Sequence, residues 1–267
     1  FSPDGTKVAY GQNNNLFIKD LVSGTTKQIT FDGQKNSIIN GITDWVYEEE
    51  FAFVRAFEWN ASSNKIAFIR FDETNVPEFS MDIMGNELYP TQQVFKYPKA
   101  GEKNAEVSLH IYDLGTNQTT KVDLLGYNNY YIPRIKWTKD NSLLSVQLLN
   151  RHQNELDFIL ANADDGTNTV LFTETDKYYI DIHDNLAFLP ENNFIWTSEK
   201  SGFNHIYIKD FDGSEIQVTN GIWEVTDFHG VDSDKMEIYY SSTEEGSINR
   251  SLYVQNFVFK YFFYIIC

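Results

Sequence analysis

The chain has 267 residues, 42% hydrophobic and 16% aromatic, a composition that supports a packed globular core and argues against disorder. Its 21 Phe and 16 Tyr residues favour strands over helices. A net charge of −17 without any basic stripe disfavours nucleic acid as a partner and suits a soluble surface or a field that steers cationic groups.

From the amino terminus, residues 1–10 (FSPDGTKVAY) read as a turn followed by an alternating strand. Asn13-Asn14-Asn15 makes the next turn and Leu16-Phe17-Ile18-Lys19-Asp20 the next strand; Gly24 then turns the chain into Lys27-Gln28-Ile29-Thr30. At a break in this pattern Gly41-Ile42-Thr43 introduces the run Asp44-Trp45-Val46-Tyr47-Glu48-Glu49-Glu50. At such a break a chain of β-repeats carries an inserted functional segment. Read without context, Glu48, Glu49 and Glu50 are a solvated helical turn.

The opening turn–strand motif recurs at residues 59–68, 137–146 and 188–196, and more faintly at 231–240. A second strand follows each copy, at residues 110–113, 158–160, 205–210 and 252–254. One small antiparallel meander cannot bury both of its faces, so such units stack. The period predicts an all-β fold, a β-propeller of four-stranded antiparallel blades, with about five blades legible. A β-sandwich would not repeat one motif in this way. The longest insertion lies between Trp59 and Trp137.

Trp59, Trp137 and Trp196 are expected to pack between blades, and His110 and His205 to be structural strand residues. No His, Cys or Asp spacing suits a metal, and no cofactor is expected. Cys267 is the single cysteine and cannot form an internal disulfide. Residues 60–62, 117–119 and 249–251 match the glycosylation triplet, which matters only in a eukaryotic secretory pathway. The tail 257–267 (FVFKYFFYIIC) is too short to span a bilayer and lacks alternation. It is read as foreign to a partial propeller over residues 1–256. A start at Phe1 inside a strand motif, with fewer blades than a closed ring needs, marks the chain as a fragment.

Five stretches go beyond generic propeller repeats: residues 41–51 (GITDWVYEEEF), 71–79 (FDETNVPEF), 97–104 (YPKAGEKN), 196–207 (WTSEKSGFNHIY) and 219–225 (TNGIWEV). In these motifs, and in their order, the chain resembles the N-terminal β-propeller of the dipeptidyl peptidase IV family, which are serine peptidases of prolyl oligopeptidase type. The resemblance runs from Phe1 to about Asn256. It implies the substrate-gating part of an exopeptidase that releases N-terminal dipeptides, with a preference for Xaa-Pro. By the same resemblance the acidic run lies on a short inserted helix near residues 44–50, with Thr43 or Asp44 as its N-cap and Trp45 and Tyr47 anchoring it against the blades. It likewise implies that Glu49 and Glu50 bind the free amino terminus of a peptide, supported by Asp44, Trp45, Tyr47 and Glu48. The chemistry suits them, because an α-amino group with a pKa near 8 is mostly ammonium at neutral pH and offers three donors to two carboxylates.

The family's catalytic residues lie on an α/β-hydrolase domain whose Gly-x-Ser-x-Gly elbow has no counterpart here. Ser23-Gly24 and Ser201-Gly202 lack the flanking glycine, so no catalytic residue is expected in this chain. An arginine that orients substrate in the family has no match in Arg55, Arg70 or Arg134. The resemblance further implies the hydrolase domain as a partner in the full-length chain, room for a homodimer, and an extracytoplasmic location (secreted, periplasmic or membrane-anchored). The alternatives are a non-catalytic propeller serving as a binding scaffold, and an unexpressed gene piece suggested by the odd tail.

Overall fold

Side-chain acceptors make the turns that the repeats imply. Asp20 Oδ1 accepts from the N–H groups of Val22 and Ser23 at 3.0 and 2.7 Å, and Asp113 Oδ1 from Gly115 and Thr116 at 2.8 and 2.9 Å. Asp232 Oδ1 does the same for Asp234 and Lys235 at 3.1 and 3.0 Å. Each carboxylate mimics a backbone turn and sends the chain back antiparallel. The computed structural model describes residues 1–124 and 126–257, and in it the chain divides into two units, Phe1–Ile180 and the residues from Asp181 onward.

In the first unit β1 (Lys7–Gln12), β2 (Asn15–Asp20) and β3 (Thr26–Gln28) form an antiparallel sheet. The second sheet contains β4 (Ile38–Asn40), then, beyond the helix α1 (Trp45–Glu50), β5 (Phe57–Trp59) and β6 (Lys65–Asp72). A separate two-stranded ribbon, β7 (Glu78–Ile83) with β8 (Thr91–Lys96), interrupts it before β9 (Glu106–Asp113) and β10 (Gln118–Lys121) complete it. β11 (Tyr130–Trp137), β12 (Leu143–Asn150), β13 (Glu155–Asn162) and β14 (Asn168–Thr175) make a regular four-stranded meander.

The second sheet nominally has five strands, which departs from the four-stranded expectation for a simple reason. β4 pairs Ile38–Asn40 with Asp72–Arg70, and β5 pairs Phe57–Trp59 with Phe68–Ile66, both antiparallel on the same edge of β6. They are two halves of one inner strand, split by the excursion that carries α1. Ala9, Leu16 and Ile18 of the first sheet bury against Phe57, Trp59, Ile66 and Phe68 of the second. Trp137 Nε1 donates to the Glu58 carbonyl at 3.0 Å and so ties β11 to β5. His110 stacks on Phe68, with Nε2 at 3.0 Å from Ser108 Oγ.

In the second unit β15 (Ala187–Phe188), β16 (Asn193–Ser198), β17 (His205–Asp210) and β18 (Glu215–Gln217) form one meander, and β19 (Val225–Asp232), β20 (Glu237–Ser242) and β21 (Ser251–Asn256) another. Ile195, Ile206 and Ile208 of the first pack against Val225, Ile238 and Tyr240 of the second. His205 is buried with its ring nitrogens at 3.1 Å from Thr219 Oγ1 and 3.2 Å from the Gly221 carbonyl oxygen, a structural histidine. Phe257, the first residue of the apolar tail, is buried in the same core and its N–H donates to the Met236 carbonyl at 3.0 Å. The remainder of the tail lies outside the described residues.

Candidate functional site

The excursion between β4 and β5 is closed at its neck by backbone. Gly41 N–H donates to the Ile69 carbonyl at 3.0 Å, Ala56 N–H to the Gly41 carbonyl at 3.1 Å, and Thr43 N–H to the Val54 carbonyl at 3.2 Å. Gly41 sits at φ +71, where a Cβ would also stand 3.0 Å from Leu16 Cδ1, so the neck requires glycine.

Within this loop Asp44, not Thr43, is the N-cap. Its Oδ1 accepts from Tyr47 N–H at 3.0 Å, and Thr43 Oγ1 instead donates to the Phe53 carbonyl at 3.2 Å. Asp44 is only 7% exposed, and burial pushes its carboxyl up to about 6 against the Tyr47 hydrogen bond that favours the charge. The helix has six residues, too few to persist alone, so it holds its place through what it touches.

Tyr47 is its anchor. The ring is 2% exposed and packs against Phe51, Phe53, Phe71 and Tyr131. The Oη accepts from Ile132 N–H at 2.8 Å. The register between β11 and β12 shifts at residues 131–134, where Pro133 has no N–H to give, and this bulge turns the Ile132 N–H out of the ladder toward Tyr47. Trp45 sets its ring edgewise on Tyr97, with centroids 4.3 Å apart. Beyond the helix, Arg134 Nη1 donates to the Phe51 carbonyl at 3.0 Å and to the Pro133 carbonyl at 2.8 Å, while its guanidinium lies 5.4 Å from the Phe53 ring centre. Arg134 carried no role in the sequence reading, and a contact to a backbone carbonyl leaves no residue-type signature that could have assigned one.

Glu48, Glu49 and Glu50 stand exposed on consecutive positions of the anchored helix. No hydrogen bond or ion pair to them is formed among the described residues. The structure therefore brings Asp44, Trp45 and Tyr47 together as one support, with the Glu49 and Glu50 carboxylates left open to solvent. A second buried carboxyl faces this support. Glu73 is 6% exposed, and burial followed by the charge of Asp44 pushes it up to about 7. The Lys96 Nζ, bonded to the Val76 carbonyl at 2.9 Å, opposes that shift.

A succession of antiparallel meanders of three to five strands, one of them splitting its inner strand to carry a carboxylate-bearing helix, gives the chain the fold class of a β-propeller with an inserted acidic helix. Its residues 1–258 match the family model described as Dipeptidyl peptidase IV (DPP IV) N-terminal region, and the chain belongs to that family. It is 31% identical to human Prolyl endopeptidase FAP over 91% of the chain and 34% of that protein, and 30% identical to a probable dipeptidyl peptidase 4 of Aspergillus fumigatus over 95% and 35%. The crystal structure of Porphyromonas gingivalis dipeptidyl peptidase 4 superposes with a TM-score of 0.90 at 41% identity, over 95% of this chain and 36% of that one. The chain spans about a third of the length of these relatives.

Proposed function

We propose that this chain is the substrate-gating part of a serine exopeptidase that removes dipeptides, with Xaa-Pro preferred, from polypeptide amino termini, and that Glu49 and Glu50 hold the substrate's ammonium group. Acyl transfer then belongs to an α/β-hydrolase domain outside these residues, and the enzyme works outside the cytoplasm. The observation that carries this reading is a pair of open carboxylates on a helix too short to stand alone, held in place by a buried tyrosine and an N-cap aspartate. Nothing in the fold of the helix uses the pair, whereas an ammonium does. Each close charge contact is worth on the order of 4 kcal/mol at an effective dielectric near 20, before desolvation. A peptide with a blocked amino end forfeits it.

In the complete gene product, Glu49→Gln and Glu50→Gln keep the shape and remove one charge each. Each is expected to lower kcat/KM on a free Xaa-Pro substrate by about 30- to 1000-fold, on the order of 2–4 kcal/mol. Glu48→Gln costs less. An N-acetylated substrate is cleaved poorly by the parent and loses little more in the Gln variants. Near-normal kcat/KM for both Gln variants, with folding verified by circular dichroism, would return the acidic run to a solvated surface.

A further inference from the structure

We infer that Arg134 is a positioning residue for the Glu49–Glu50 pair, setting the helix end from which those carboxylates project; the inference rests on the reading of that pair as the amino-terminus site. A six-residue helix does not fix its own orientation, so its ties do. Two of them come from the beginning of β11: Ile132 N–H to Tyr47 Oη at 2.8 Å, and Arg134 Nη1 to the carbonyl of Phe51 at 3.0 Å. Phe51 directly follows Glu50 and is the C-cap, so its carbonyl is among those that an α-helix leaves without an internal partner.

Arg134 joins that carbonyl to the Pro133 carbonyl through one Nη1, with Phe53, from the returning limb of the loop, beside the guanidinium. The helix end, the loop and β11 are thus locked by one planar group. The positive charge also sits on the carbonyl of the C-cap, at the negative end of the helix dipole. The residue after the C-cap, Ala52, has φ +57, a left-handed turn that a β-carbon disfavours, so the chain beyond Phe51 does not hold the end by its own preference. A small displacement of this end moves both carboxylates relative to a bound ammonium, and misplacements of about 1 Å are enough to cost orders of magnitude in rate.

The test compares the complete gene product with Arg134→Ala, Arg134→Gln, Arg134→Lys, Glu50→Gln and the double variant Arg134→Ala/Glu50→Gln. The readout is kcat/KM on a free Xaa-Pro chromogenic substrate divided by that on its des-amino analogue. This ratio does not depend on the fraction of enzyme that folds. Arg134→Ala is expected to lower the ratio by about tenfold or more, chiefly through KM of the free-amine substrate, and Arg134→Lys to restore it to within about threefold of the parent. The double variant should fall no further than Glu50→Gln alone. If Arg134→Ala yields no soluble protein, Arg134→Gln, which keeps a planar donor without the charge, gives an intermediate ratio. A parental ratio in the Arg134 variants, with Glu50→Gln lowering it, overturns the positioning role and leaves the pair's role standing. A parental ratio in Glu50→Gln and Glu49→Gln overturns the site reading and this inference with it.

Discussion

Tyr47 serves two demands with one side chain. Its ring fills the aromatic pocket made by Phe51, Phe53, Phe71 and Tyr131, and its Oη accepts the backbone N–H that the Pro133 bulge releases from the sheet. Tyr47→Phe keeps the ring and leaves the buried Ile132 N–H without that acceptor. The expected cost is about 1–3 kcal/mol, the usual penalty for a buried donor left unpaired. In thermal melts this reads as a fall of roughly 2–10 °C, with a parallel loss of peptidase activity in the complete gene product. A melting temperature equal to the parent's would mean that water replaces the hydroxyl and that Tyr47 acts through its ring alone. The role of Tyr47 as an anchor was legible because an aromatic beside a carboxylate run at a strand break has few other uses. Its partner was not legible, since Ile132 contributes only a main-chain N–H.

At the scale of elements, sequence periodicity showed whatever is repeated and buried. The copies at residues 59–68, 137–146 and 188–196 became β5–β6, β11–β12 and β15–β16, because their turns and apolar alternation report directly on pairing and on the core. Two elements did not show. The split inner strand is written as two three-residue pieces, Ile38–Asn40 and Phe57–Trp59, each too short to register as a strand and joined only through β6. The β7–β8 ribbon buries nothing, so its alternation has no core to point to: every residue of β7 is exposed, as are the first four of β8. A lone two-stranded ribbon is marginal in water, and this one is tied at its base by Tyr97 N–H to the Pro77 carbonyl at 3.0 Å and by Trp45 against Tyr97. Replacing residues 79–94 with a short Gly-Asn turn is therefore expected to leave the melting temperature within about 3 °C, because the removed segment lies at the low end of local stability. It should also raise solubility, since Met84, Leu88 and Tyr89 at the tip are 78%, 95% and 83% exposed. A drop of 10 °C or more, estimated on the usual scaling of about 2–4 °C per kcal/mol, would show that the ribbon supports the sheets.

Across the whole molecule, the carboxyl groups whose pKa the fold shifts fall into two sets with opposite pH behaviour. Turn carboxylates such as Asp4 and Asp113 are held down to about 2 by hydrogen bonds, from Ser2 first for Asp4 and from Lys65 first for Asp113, so they favour the folded state until strong acid. Glu73 behaves the other way. Its ordinary value of 4.5 is pushed up to about 7 by burial and then by the charge of Asp44. A carboxyl whose folded pKa is raised contributes stability that is complete below pH 4.5 and is lost as pH climbs through about 7. A shift of this size sets an upper limit of about 3 kcal/mol, which Glu73 shares with Asp44 because the two titrate against each other. Glu73→Gln mimics the protonated acid at every pH. Its melting temperature should match the parent's near pH 4, where Glu73 is largely neutral in both the folded and the unfolded chain, and exceed it by several degrees, up to about 10 °C, at pH 8. Asp44→Asn in the same background keeps the capping oxygen and removes the remaining titration, so the double variant should show the flatter dependence from pH 5 to 8. A difference between Glu73→Gln and parent that stays constant across that range would show that Glu73 is ionised and solvated in the folded protein throughout, and that this carboxyl does not titrate there.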